Sequence, residues 1–293
     1  MMGERQSTPN DFVRDFASRH QLRLTDLIEN EANAVEATAT ALQLINQSYA
    51  ELSDARLSDP TVGILLNILH RNFEHAEAAI VGFVCGCGSS AEVVARTSVE
   101  SSVNLLYMLA GDRVARLRAY FDHYLQSTDA QVAKWRGALD ELPEHAEIHL
   151  SAIHRRLDAN GHLRRVVDAS FPAALERWPR TIDQRFSAIG ETIGYRTLYA
   201  RMSAEVHGDA EETLRYFVAM SLGDEALTTS MALETVWTTR LYIYYAATLF
   251  LKAALAYAGA FSLPDIEPAL NAQLANLHRE LTEISFHIGA DLS

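Results

Sequence analysis

The stretch Leu241–Phe261 constrains this chain more than any other. It is almost continuously apolar and about as long as a bilayer-spanning helix of roughly 20 residues. A helix that is apolar all round is stable in two settings, a membrane or the middle of a large protein core. Lys252 sits in the middle of the stretch, Tyr242, Tyr244, Tyr245 and Thr248 dilute it, and alanine is abundant. These features point to the central buried helix of a soluble bundle, with no membrane partner.

Such a helix needs others to cover it, and the remaining sequence supplies them. Glycine (14) and proline (7) are sparse among 293 residues, which favours long helices over many-turned β structure. From Thr25 to about Arg56, Leu27, Ala34, Ala37, Ala41, Ile45 and Tyr49 recur at helical spacing. Asp59-Pro60 predicts a capped start for a second helix, which the turn Gly86–Ser90 stops. Ser90 is read as the cap of a third helix ending at Gly111, and Asp112 as the cap of a fourth reaching about Leu139. Pro143, Gly161, Pro172 and Pro179 are expected to break 140–180 into short helices. A helix from about Thr181 pauses at Gly190, and another runs from about Tyr195 to His207. Gly208 suits the left-handed position past a helix end, and Asp209 with Glu212 forms a capping box for the next helix. Asp224 and Pro264 open the last two. No stretch alternates in the β manner. The expected fold is all-α, a multi-helix bundle with long antiparallel helices. Residues 1–24 read as a polar leader and 25–293 as a single helical domain, with long C-terminal helices over 225–288.

The formal net charge of −13 argues against broad, non-specific binding to nucleic acid or an anionic membrane. The charge is uneven. Residues 113–201 hold 14 Lys/Arg against 11 Asp/Glu, a net of +3, and the remainder holds 11 against 27, a net of −16. The mildly basic middle leaves room for a local polyanion site. The two cysteines, Cys85 and Cys87, are too close in sequence for an easy disulfide, and no second pair completes a zinc site. With a start that lacks the apolar core of a signal peptide, this predicts a reducing, cytoplasmic setting.

Chemistry concentrates on one helix. Tyr195, Tyr199, Ser203 and His207 are each four residues apart, so successive members drift by only about 40° around a helix. They form one polar stripe where plain core would carry apolar residues. His207, in the last turn, faces the end of the helix dipole that favours imidazolium, which suits a proton donor or phosphate contact. A second helix carries Arg96 and Glu100 among Val93, Val94, Ala95, Val99 and Val103. A charged pair in such surroundings is expected to be partly buried and to need partners. Glu100 could accept from His207, Ser203 or a tyrosine.

Arg201-Met-Ser-Ala-Glu-Val-His207 resembles the Arg-x(4–6)-His motif of the HEPN ribonucleases, small helical bundles that pair so that Arg and His face the RNA backbone. In that chemistry His moves a proton and Arg stabilises developing phosphorane charge without a metal. Residues six apart point about 120° away from each other on an ideal helix, so Arg201 and His207 need not share a site. His70-Glu74 and His145-Ala-Glu-Ile-His149 have helical metal-ligand spacing, but the chain has neither the zincin arrangement nor a Glu-x-x-His pair. No metal and no cofactor is expected.

Two blocks together resemble a bacterial family known as domain of unknown function 5677. One is Arg71–Leu109, with Ala95-Arg-Thr-Ser-Val-Glu100. The other runs from Trp178-Pro to Tyr199-Ala-Arg-Met-Ser-Ala-Glu-Val-His-Gly208. The resemblance covers about 60–210 and implies an all-helical fold with Arg96, Glu100, Tyr199, Ser203 and His207 as shared positions. Three function classes follow. One is a metal-independent ribonuclease or nucleotide-processing protein of a toxin or defence system. In it His207, Arg201 and Glu100 are catalytic, Arg96, Tyr195, Tyr199 and Ser203 bind, and RNA or a nucleotide is the partner. The second is a helical module that binds a ligand or another protein. The third is a structural role for the polar set, fixing register within a bundle or a homodimer.

Overall fold

The computed structural model describes residues 9–22, 26–139, 146–173, 176–206, 210–223, 225–263 and 265–288. The helices are α1 (Pro9–Arg19), α2 (Asp26–Asn30), α3 (Ala32–Ala50), α4 (Asp54–Leu57), α5 (Pro60–Val84), α6 (Gly88–Leu109), α7 (Arg113–Ala138), α8 (Ala146–Ser170), α9 (Ile182–Ala188) and α10 (Thr192–Gly194). A π-helical segment (Tyr195–Tyr199) follows, then α11 (Ala200–Val206), α12 (Ala210–Leu222), α13 (Glu225–Ala260) and α14 (Glu267–His287). There is no strand among the described residues, and the fold is all-α. The residues form two compact units: 1–106 with 185–293, and 107–184.

In the first unit α13 is the axis. From Thr238 to Ala258 nearly all of its residues are buried. In its most apolar 18-residue window, 83% lies inside the protein, so neighbouring helices cover the surface that a bilayer would otherwise have to cover. Helices α3, α5 and α14 pack along it. Two of its tyrosines carry their polar tips to backbone acceptors. Tyr257 donates to the carbonyl of Val62 at 3.0 Å and Tyr244 to that of Asn30 at 3.3 Å. Arg240 binds both oxygens of buried Glu31 at 2.9 and 3.1 Å and the Asn30 carbonyl at 2.9 Å. Burial nevertheless pushes the Glu31 carboxyl up, with Arg240 opposing. The start of α5 follows its sequence signal: Asp59 accepts from the Thr61 amide at 2.9 Å, with Pro60 in the first turn. A fully buried relay ties α5 to α6, with Asn72 donating to Ser102 at 2.7 Å and accepting from Ser98 at 2.8 Å.

Several boundaries differ from the sequence reading. Residues 9–19, inside the expected polar leader, form a helix that buries Val13, Phe16 and Ala17, and Arg19 joins Glu77 of α5. Its apolar residues are few but fall on one face, which is enough when a partner helix is present. The helix expected over 25–56 is interrupted at Glu31 and again at 51–53. The third helix starts at Gly88 rather than after Ser90. The last one starts at Glu267, with Pro268 in its first turn. Pro143, His145, Gly208, Asp209, Asp224 and Pro264 lie outside the described residues.

The second unit departs most from expectation in its regularity. Residues 146–170 form one 25-residue helix that runs through Gly161. An interior glycine costs about 1 kcal/mol relative to alanine, and side-chain bonds to α7 offset it. Asn160 donates to the Leu125 carbonyl at 3.1 Å and Arg164 meets Asp129 at 2.7 Å. Val132, Leu139 and Ile153 make a small core with Trp135 and Leu157. At the other end Arg118 is nearly buried. It reaches Asp122 at 2.9 Å, Asp168 at 2.6 Å and the carbonyls of Val167 and Phe171 at 3.4 and 3.3 Å. Asp112 caps α7 as expected, accepting from the Val114 and Ala115 amides at 3.1 Å. Replacing Arg118 by alanine strands these acceptors and should cost about 1–3 kcal/mol. Native-state hydrogen exchange should show faster exchange across 113–170, with amides of α5 and α13 unchanged.

Candidate functional site

The polar centre forms where α6 meets the segment 192–206. That segment is not a regular α-helix. The Ala200 amide donates to the Tyr195 carbonyl, a bond spanning five residues. Such π turns are rare and occur often at functional positions. A turn closed over five residues holds more than 3.6, so residues four apart drift less in azimuth. Tyr195 and Tyr199 accordingly stack, with ring centroids 5.6 Å apart and planes 23° apart. Phe186 of α9, fully buried, lies against both at 5.5 and 5.3 Å.

Tyr199 is 4% exposed, and its hydroxyl donates to Glu100 Oε1 at 2.6 Å. Arg96 Nε donates to the same oxygen at 3.0 Å, and Arg96 Nη2 donates to the tyrosine oxygen at 3.4 Å. The guanidinium also lies over the Tyr199 ring, 5.5 Å from its centroid. The three groups close a triangle in which a cation, an anion and a phenol satisfy one another. The side chains of Arg96 and Glu100 are 19% and 38% exposed, so the expectation of a partly buried pair with a tyrosine partner holds. Burial, then the Glu100 carboxylate, pushes the Tyr199 phenol up to about 12 against the pull of Arg96. Near neutral pH Tyr199 is therefore a hydrogen-bond donor and a poor proton shuttle.

A second contact anchors the same segment to α13. Lys252, the charge that interrupts the apolar stretch, donates to Glu191 just ahead of α10. Next to it the buried Tyr245 hydroxyl abuts Gly194, where any β-carbon would collide with it. Glycine is required here by close approach. Burial and the Glu191 charge hold the Tyr245 phenol above its ordinary range.

The remaining sequence candidates are placed differently. Arg201 stands two residues from buried Tyr199, hence on the opposite side of the helix. Its side chain is 46% exposed, and it reaches Glu234 of α13 at 3.9 Å. Ser203 is half-buried. His207 lies outside the described residues. The structure thus brings Arg96, Glu100 and Tyr199 together with Tyr195 stacked behind, and directs Arg201 elsewhere. Among the described residues no group of three or more His, Cys, Asp or Glu is placed to hold a metal. His70 bonds Asn46 at 2.7 Å and Glu77 bonds Arg19. Sequence reading missed Phe186, the Lys252–Glu191 pair and the π turn. The lone lysine in an apolar run was a usable signal for the pair, and the π turn has none.

A family model, the family of unknown function DUF5677, matches residues 62–225, or 164 of the 293 residues. The chain belongs to the DUF5677 family. Arg96, Glu100, Phe186, Glu191, Tyr195 and Tyr199 all lie within the family stretch, whereas Lys252 and Tyr245 on the central helix lie beyond it. No curated protein and no solved structure matches the chain.

The Tyr199 linkage has a definite sign. A phenol whose folded pKa is raised from about 10 to about 12 favours the folded state fully below pH 10, and that contribution is lost as pH rises through 12. Thermal melts should show a decline above pH 10 that Tyr199→Phe makes shallower. At pH 7 the same substitution leaves Glu100 without its donor and should cost about 1 kcal/mol. An unchanged alkaline slope in Tyr199→Phe would rule out the raised phenol.

Proposed function

We propose that this DUF5677 protein is a non-catalytic helical interaction module. In this reading its polar centre is structural and its working surface is the hairpin of α12 and the first turns of α13. The carrying observation is the exposure of that hairpin: Leu214, Phe217, Val218, Met220, Leu222, Leu233 and Val236 are between 43% and 69% exposed. Ala219 alone among the described side chains of α12 is buried. Soluble proteins rarely leave so much contiguous apolar surface uncovered unless something binds it. The polar centre supports the same reading. Its charges are spent on one another, and its phenol keeps its proton. The two exposed cysteines, neither in a disulfide, suit the reducing cytoplasm in which such a module would work.

Photo-cross-linking in cells tests the reading. A photoreactive phenylalanine analogue replaces Phe217 on α12, and in a control it replaces Ile148, 73% exposed on α8. Light-dependent adducts to polypeptide confined to position 217 are expected. Equal adducts at both positions, or none, would sink the module.

A second reading has its own observation. Arg201 projects a half-exposed guanidinium from α11, the helix that leads to His207, and the spacing of the two resembles the HEPN motif. A metal-independent ribonuclease would use Arg201 to stabilise phosphorane charge and His207 to move the proton. Purified protein incubated with RNA in EDTA distinguishes it. Cleavage by wild type that is lost in both His207→Ala and Arg201→Ala, with melting temperatures retained, replaces the module by the nuclease. Absence of cleavage, or equal cleavage by the variants, leaves the module in place.

A further inference from the structure

The α12–α13 hairpin has the pattern of a helix-packing seam as well as an apolar surface. On α13, Ala226, Thr229, Leu233 and Val236 recur at alternating spacings of three and four, and all four are exposed. This is the spacing with which one helix packs along another. On α12, Leu214, Phe217 and Ser221 repeat it, also exposed. Neither stripe carries a charge. Between Leu214 and Val236 the sequence has only Arg215, Asp224, Glu225 and Glu234, and Glu234 is engaged by Arg201. The surface continues at the base of the hairpin. There Trp237 stacks on His287 at 4.4 Å, beside Phe286, which is 85% exposed.

The amount of surface indicates the occupant. Eight side chains, Leu214, Phe217, Val218, Met220, Leu222, Leu227, Leu233 and Val236, are 36% to 69% exposed. Summed over the two helices of the hairpin, they present apolar surface on the order of the roughly 800 Å² that each partner buries in a standard stable interface. The stripes need a helical partner with a charge-free face and the same spacing, and this chain carries such faces itself. Fluid acyl chains have no spacing to match, whereas a second helical hairpin does.

We infer that the α12–α13 hairpin is the docking surface for a second copy of this chain, hairpin against hairpin, in a homodimer. The inference rests on the interaction-module reading and names that module's partner.

Full-length protein is examined by size-exclusion chromatography with light scattering over a hundredfold range of concentration. Wild type is expected at twice the 32.5 kDa chain mass. Leu214→Lys/Phe217→Lys on α12 and, separately, Leu233→Lys/Val236→Lys on α13 are expected at the single mass with unchanged helical circular dichroism. Ile148→Lys, at a still more exposed site on α8, should keep the wild-type mass. In case a lysine variant misfolds, purified protein carrying the photoreactive residue at 217 provides an independent measurement, with an adduct of twice the chain mass expected. Wild type at the single mass throughout, hairpin variants that stay dimeric while folded, or no self-adduct from 217 would each overturn the inference. A monomeric wild type that cross-links from 217 to a different polypeptide in cells overturns the second copy and spares the module. Sedimentation of monomer with anionic vesicles, lost in Leu214→Lys/Phe217→Lys, places lipid on this surface and overturns both.

Discussion

A helix apolar on every side has no solvent-facing side, so each of its faces must be covered by protein. That requirement, set by 238–258 of α13, organises the first unit. Helices α3, α5 and α14 lie along it, and its covered length carries side chains large enough to specify where each neighbour sits, with Tyr242, Tyr244, Phe250 and Tyr257 fully buried. Burial of this much apolar surface, at about 25 cal/mol per Å², is the main favourable contribution to folding. The covering stops at Thr238. On the first turns of the same helix and on α12, packed against them, several large apolar residues remain in solvent.

Polar groups in this unit are arranged so that none of the named ions is buried alone. Arg240 with Glu31, Lys252 with Glu191 and Arg96 with Glu100 are each oppositely charged pairs, the first and last with further hydrogen bonds. Leaving one partner of such a pair without the other is destabilising, whereas the satisfied pair is close to neutral in free energy. This is why the polar centre is read as a register device. Arg96 and Glu100 join α6 to Tyr199 of the π turn, and Glu191 and Gly194 meet Lys252 and Tyr245 of α13. A ligand entering the triangle would compete with the bonds among Arg96, Glu100 Oε1 and the Tyr199 hydroxyl.

The polar centre was legible to the extent that chemistry shows in local pattern. Arg96 and Glu100 stood out because charge in an apolar helix demands a partner, and the four-residue stripe put Tyr199 forward as one. Arg201 and His207 stood out by spacing, which says nothing about direction. On the helix Arg201 turns away from Tyr199, because two residues amount to about 200° of rotation. Phe186 could not be located, since nothing near it in the chain marks which aromatic face it will meet.

Sequence alone determined the helical class, the central position of 241–261, the caps at Asp59 and Asp112 and the membership of Arg96, Glu100 and Tyr199 in one polar set. Each follows from interactions within a few residues, or from the cost of burying charge. Tertiary structure alone decided that residues 9–19 fold onto α3, that Gly161 sits inside an unbroken α8, that a π turn stacks Tyr195 on Tyr199, and that the α12–α13 hairpin leaves apolar side chains exposed. These depend on which distant helix is available to pack, and local sequence carries no record of that.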